Sequence, residues 1–206
     1  YPLNDQSMYE GIRQLPPGHI LTASREGITL KRYWDVPVPS KTLNREESDY
    51  INDIRAMLES AVLLRMISDV PICAFLSGGL DSSIISSIMT GHSDREISTY
   101  TVGFPGSGMN EFRQARLMAG QLGSIHHEIE LNESDYLLAN ARLMNYKDAP
   151  LAVPNEATIY VMSQELAKHA KVVLSGEGAD ELFGGYGRIF RSAFDFDRSV
   201  RIGDST

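Results

Sequence analysis

Apolar positions along the chain alternate between two periods. Between residues 46 and 65, Tyr50, Ile51, Ile54, Met57, Leu58, Ala61, Val62 and Leu64 recur at helical spacing, and the pattern stops at Asp69-Val70-Pro71. A short apolar run, Ile72-Cys73-Ala74-Phe75-Leu76, then reads as a buried strand, followed by a glycine-rich turn and a helix over about 81–90. The same alternation continues with a strand at 98–104, a helix at about 111–122 stopped by Gly123, and a strand at 124–131. Helical stretches at about 133–145 and 155–170 lead to a last strand, Lys171-Val172-Val173-Leu174. Strands separated by helices predict an α/β fold, a parallel sheet with helices on both faces. Ligands of such sheets sit off the carboxyl ends of the strands, so the loops after residues 76 and 174 are the places to look.

Residues 1–36 follow a different pattern. Leu15-Pro16-Pro17-Gly18 is a turn, His19–Ala23 a strand, Arg25-Glu26-Gly27 a second turn and Ile28–Trp34 a second strand. Two strands are marginal in water, so this hairpin is expected to belong to a sheet that the chain does not supply. Val36-Pro37-Val38-Pro39-Ser40 reads as an extended linker, which puts the boundary between two units, 1–36 and 37–206.

Composition narrows the classes of function. The 206 residues carry a net charge of −8, and no cluster of Lys and Arg is dense enough to track a phosphate backbone, which disfavours nucleic acid. A single cysteine, Cys73, excludes an internal disulfide and fits a reducing compartment, the cytoplasm; its neighbours mark it as a small core residue rather than a nucleophile. No apolar run approaches the ~20 residues that cross a bilayer, so no membrane partner is expected. The chain opens on Tyr1 without a signal peptide or initiating Met, and is expected to be a piece of a longer protein.

Leu76-Ser77-Gly78-Gly79-Leu80-Asp81-Ser82-Ser83 joins a buried strand to a helix. Adjacent glycines admit a ligand close to the backbone, and the helix start offers unpaired amides and a positive dipole end. The hydroxyls of Ser77, Ser82 and Ser83 are further phosphate donors. Asp81 would repel phosphate unless a Mg²⁺ ion stands between them. There is no lysine for a Walker A loop, and the glycine spacing is wrong for a dinucleotide fingerprint. The bland alternative is a Gly-Gly turn with Asp81 or Ser82 as the helix N-cap. The motif S-G-G-L-D-S-S resembles the pyrophosphate loop of the ATP-pyrophosphatase superfamily.

The second loop, Ser175-Gly176-Glu177-Gly178-Ala179-Asp180-Glu181-Leu182-Phe183-Gly184-Gly185-Tyr186, places three carboxylates within five residues. Such a cluster repels itself unless a cation neutralises it, or else forms the acidic start of a helix with Glu181 as dipole partner. It resembles the second signature of the asparagine synthetase (glutamine-hydrolysing) family and the related β-lactam-forming synthetases. Thr101-Val102-Gly103-Phe104, Leu122–Glu128, Leu15–His19 and Tyr33-Trp34-Asp35 add to that resemblance.

The resemblance implies an ATP-pyrophosphatase (adenine nucleotide α-hydrolase-like) fold preceded by the hairpin end of an N-terminal nucleophile glutaminase domain. It implies ATP and Mg²⁺ as cofactors. Leu76–Ser83, Val102, Gly176 and Glu177 are the expected ATP and pyrophosphate contacts, with Val102 at the adenine. Asp81 and Asp180 are the expected metal ligands, and Glu177, Asp81 and Asp180 the catalytic residues. The expected reaction adenylates a carboxylate, aspartate by default, and amidates it with ammonia from glutamine supplied by the glutaminase domain; a homodimer is one assembly to expect. The family's N-terminal cysteine nucleophile is missing here, and its catalytic lysine is expected beyond Thr206. Alternatives are an intramolecular cyclase of the β-lactam-synthetase kind and a degenerate nucleotide-binding module. Asp148-Ala149-Pro150 and Val153-Pro154-Asn155-Glu156 are expected near the acceptor. The paired His126 and His127 invite a zinc reading, but no cluster of partner ligands accompanies them, and a structural role at a strand start is favoured.

Overall fold

The computed structural model describes residues 5–37, 45–106, 110–147, 151 and 153–186. Asp148-Ala149-Pro150 and the tail from 187 lie outside the described residues. The strands are β1 (His19–Ser24), β2 (Gly27–Arg32), β3 (Ile72–Phe75), β4 (Ser98–Gly103), β5 (Ile125–Glu130) and β6 (Val172–Leu174). The helices are α1 (Glu47–Arg65), α2 (Leu80–Gly91), α3 (Phe112–Leu122), α4 (Glu133–Lys147), α5 (Asn155–Leu166) and α6 (Ala179–Phe183).

Strands β3 to β6 form one sheet in the order β5-β4-β3-β6, with every pairing parallel. The chain runs from β3 outward to β4 and β5, then returns to place β6 on the other side of β3. That reversal opens a crevice at the carboxyl ends of β3 and β6, where both distinctive loops begin.

Period-two alternation decides which helix covers which face. Ala74 and Leu174 are buried with Val62 of α1 and Met89 of α2, joined by Ile72 and Val172. Cys73 and Tyr100 point the other way, against Leu166 of α5, with Phe75 and Val173 beside them. Leu76 packs on Ala115 and Ala119, small residues that let α3 approach closely. Cys73 is 1% exposed, and burial pushes its thiol up to about 11, which suits a core residue.

The hairpin pairs β1 with β2 antiparallel, Leu21 opposite Leu30 and Ala23 opposite Ile28. Both pairs fall on one face, yet Leu21, Ile28 and Leu30 are 47, 72 and 54% exposed. Gly18 (φ +70) accepts hydrogen bonds from the amides of Tyr33 and Trp34 at 2.8 and 3.3 Å, and a Cβ there would overlap the Trp34 carbonyl.

Several elements differ from the periodicity. α5 ends at Leu166 rather than 170, where the chain tightens: the amides of Lys168 and His169 reach back only three residues, to the carbonyls of Glu165 at 3.2 Å and Leu166 at 2.9 Å. α2 begins at Leu80, one residue before the expected start. The five-residue helix α6 is too short to leave a periodic signal, although the acidic-helix alternative anticipates it. No helix among the described residues is long and apolar enough to cross a membrane.

Candidate nucleotide site

β3 delivers the chain into the first loop on firm anchors. The Leu76 amide donates to the Tyr100 carbonyl at 2.9 Å, and its own carbonyl accepts from the Thr101 hydroxyl. Gly78 adopts φ +80, and a Cβ would lie 2.5 Å from the Gln114 carbonyl carbon and 2.7 Å from the Ala115 nitrogen. Only glycine meets both demands. Gly79, not Asp81 or Ser82, is the N-cap of α2, and no side chain caps the helix. The amides of Leu80, Asp81 and Ser82 precede the first helical bond, from the Ser83 amide to the Gly79 carbonyl at 3.1 Å, so they have no partner within the helix. The hydroxyls of Ser77 and Ser82 lie 2.9 Å apart, with the Gly79 amide donating to Ser77 Oγ at 3.1 Å. These serines brace the turn and stand where a phosphate oxygen could replace one hydroxyl partner.

The second loop leaves β6 and packs directly on the first. A Cβ on Gly176 would lie 3.0 Å from Asp81 Cβ and 3.1 Å from the Ser82 nitrogen. Gly178 (φ +93) starts α6, and Gly184 (φ +69) ends it. The reversal at Gly184-Gly185 folds Tyr186 back over α6, where its hydroxyl donates to Glu181 Oε1 at 2.7 Å. Gly185 lies so close to the Asp180 carboxylate that a Cβ would overlap it.

Together the loops enclose a cleft of about 360 Å³. Of the expected residues it gathers Ser77, Asp81, Ser82, Gly176, Glu177 and Asp180. It does not gather all of them. The Leu76 side chain is 1% exposed in the core, and Val102 sits partly buried on β4 opposite Ile129. Leu80 and Ser83 face a larger groove of about 840 Å³ between α1 and α2. That groove is mostly apolar, whereas the smaller cleft brings residues of both loops together and is the candidate site. Phe75, Ile159, Met162, Ser175 and Tyr186 also line the cleft. Sequence reasoning assigned none of them a role: Ile159 and Met162 fall at helical spacing that reads equally well as core.

Among the described residues the lining contains Asp81, Glu177, Asp180 and Glu181 and no Lys or Arg. A triphosphate would be repelled from these carboxylates without an intervening cation. Among the described residues no three His, Cys, Asp or Glu side chains converge as a metal cage. Asp81 and Asp180 both line the cleft and have the donor chemistry to hold Mg²⁺, which commonly takes one or two protein carboxylates and completes its shell with phosphate oxygens and water. Glu181 is drawn to lower pKa by the Tyr186 hydrogen bond, and Tyr186 is pushed up to about 12 by the same bond and the surrounding acids. The phenol thus stays protonated as a donor.

Consecutive positions on β5 send His126 and His127 to opposite faces of the sheet. His126 Nδ1 lies 2.9 Å from the Thr99 hydroxyl, and burial lowers its pKa. His127 stacks on Tyr100 with ring centroids 4.7 Å apart.

The family model described as asparagine synthase matches residues 53–202. Asparagine synthetase [glutamine-hydrolyzing] 3 of Bacillus subtilis is 32% identical over 195 residues, covering 87% of this chain and 31% of that protein. Asparagine synthetase [glutamine-hydrolyzing] 1 of the same organism is 34% identical over 192 residues, covering 93% and 30%. Among solved structures, an NH3-dependent NAD synthetase from Campylobacter jejuni aligns at 15% identity with a TM-score of 0.45, covering 69% of this chain and 62% of that one. A likeness that distant decides nothing here. The fold and the two loops define an ATP-pyrophosphatase-type synthetase domain, and the chain belongs to the asparagine synthase family. It spans about a third of the length of the curated relatives it matches.

Proposed function

We propose that this domain binds MgATP in the cleft between its two loops and transfers AMP to a carboxylate with release of pyrophosphate, and that ammonia then displaces AMP to give an amide. The observation that carries this reading is the contact of Gly176 with Asp81 and Ser82, which brings a phosphate-type loop and the acidic loop into one cleft. The free amides at the start of α2 and the hydroxyls of Ser77 and Ser82 hold the pyrophosphate end of ATP. Asp81 and Asp180 would hold Mg²⁺, and the ion would supply charge neutralisation for the phosphates and the departing pyrophosphate. By family resemblance, the Gly176 backbone meets the nucleoside side and Val102 the adenine.

Glu177 stands between Gly176 and the left-handed Gly178, exposed at the cleft wall. Asp81 and Asp180 suffice for the cation, which leaves Glu177 to orient the attacking amine or accept its proton. Aspartate is the acceptor the family implies. The hairpin is assigned to a glutaminase domain that releases ammonia from glutamine, so the complete protein is a glutamine-dependent asparagine synthetase.

Calorimetry tests the first step: Asp81→Ala and Asp180→Ala should each weaken MgATP binding, and affinity indifferent to Mg²⁺ would remove the two-carboxylate site. Aspartate-dependent exchange of pyrophosphate into ATP tests the acceptor in the full-length protein. In that protein Glu177→Gln should keep MgATP affinity within a few-fold while amide formation falls about 10²-fold, the usual scale for a lost acid–base group. Wild-type amide synthesis in the variant would reject the role.

A further inference from the structure

The described lining of the cleft contains no residue of α3, yet that helix shapes the pyrophosphate loop. Gly78 packs so tightly on it that a Cβ would lie 2.5 Å from the Gln114 carbonyl carbon, so the place of α3 fixes the place of the loop. The apolar hold on α3 is thin at this end. Ala115 and Ala119 meet Leu76 with single methyl groups, and the Phe112 ring lies over Gly103. Small side chains allow close approach but offer few ridges to stop a helix sliding. A second hold comes from Arg116, one residue past Ala115. Its Nε and Nη2 donate to the two carboxylate oxygens of Glu128 at 3.0 and 2.7 Å, and paired bonds of this kind fix direction as well as distance. Glu128 stands on β5 opposite Thr101, whose hydroxyl donates to the carbonyl of Leu76, the residue that leads into the loop. The ion pair thus ties α3 to the row of the sheet from which the loop departs.

We propose that Arg116 and Glu128 are positioning residues for the nucleotide site, a clamp that sets α3 and, through Gly78, the amides and hydroxyls of the pyrophosphate loop. This rests on the nucleotide reading above. The Arg116 side chain is 67% exposed and that of Glu128 25%, and ion pairs this open add little to overall stability. The effect of the clamp therefore lies in where the loop stands. It acts on the phosphate end of ATP and spares the nucleoside end.

The test uses the full-length protein and calorimetry with magnesium pyrophosphate, MgATP and AMP as probes. Arg116→Met keeps the length of the side chain and loses the charged fork. It should bind pyrophosphate and MgATP about fivefold more weakly, the scale of one exposed ion pair, with AMP affinity and the denaturation midpoint as in wild type. Glu128→Gln should do the same. The double variant should be no worse than either single one, because each breaks the same link. A merely structural pair moves all three ligands together and lowers the midpoint. That result, or unchanged pyrophosphate binding, overturns the proposal. MgATP calorimetry on the wild type separates the two readings, because failure to bind the nucleotide rejects the site itself and this inference with it.

Discussion

The hairpin and the central sheet are written in similar residues and have opposite fates. β4 buries Thr99, Tyr100 and Thr101 to 0, 2 and 4% exposure, although two of these are polar. β1 and β2 carry leucine and isoleucine on one face and leave them open. Strand propensity and pairing operate in both regions. What differs is a covering layer: α1, α2 and α5 close over the sheet, while no element among the described residues packs extensively on the hairpin. A strand can thus be well formed and contribute little to stability, because stability comes from area removed from water.

The contrast is broken most severely at the glycines. Gly78→Ala adds a left-handed strain and a clash with the backbone of α3, and should destabilise the chain by about 4 kcal/mol in a denaturant titration. At Gly27, where a Cβ meets nothing within 4 Å, the same substitution should cost only the strain of its positive φ, about 1 kcal/mol. Met89→Ala, at 0% exposure under the sheet, should cost about 3 kcal/mol by the same assay.

Acid sharpens the comparison in the sheet alone. His126 has its pKa lowered by burial, so the unfolded chain binds its proton more readily. Stability is therefore full above about pH 6.5, the ordinary histidine value, and falls as pH drops from there toward the lowered folded value. Denaturation midpoints at pH 7.5 and 5.5 should differ less in His126→Gln than in wild type. The smallest effect is expected at Leu30→Ala, below about 0.5 kcal/mol, because its side chain is already 54% exposed. A large loss there would show that the hairpin face is covered after all.

Much of this was readable in the chain because it depends on local rules. Helical spacing located α1, glycine at Gly123 ended α3, and short apolar runs marked β3 and β6. The two loops announced themselves by residues that only a ligand site requires together. Less legible were features set by distant contacts. Gly78 reads as a flexible turn, but its other duty is to clear Gln114, which no motif reveals. Gly176 is expected as an ATP contact, and its lack of a side chain is also what lets the loops touch. The serine hydroxyls read as phosphate donors, and those of Ser77 and Ser82 also brace their own loop. Asp81 and Ser82 were plausible caps until the structure gave that position to Gly79.

The pairing of Ile72 with Val172 joins positions about a hundred residues apart. Contacts of that span form late, since the intervening chain must first surrender its freedom. During synthesis β3, β4 and β5 can assemble as soon as they emerge, but half of the cleft wall follows β6. The pyrophosphate loop must therefore exist for a time without its acidic partner, unable to hold a nucleotide. Pulse-labelled hydrogen exchange during refolding should find the amides of β6 protected after those of β4 and β5, and ATP binding should appear with that last phase. Competence to bind then reports that the final strand has docked.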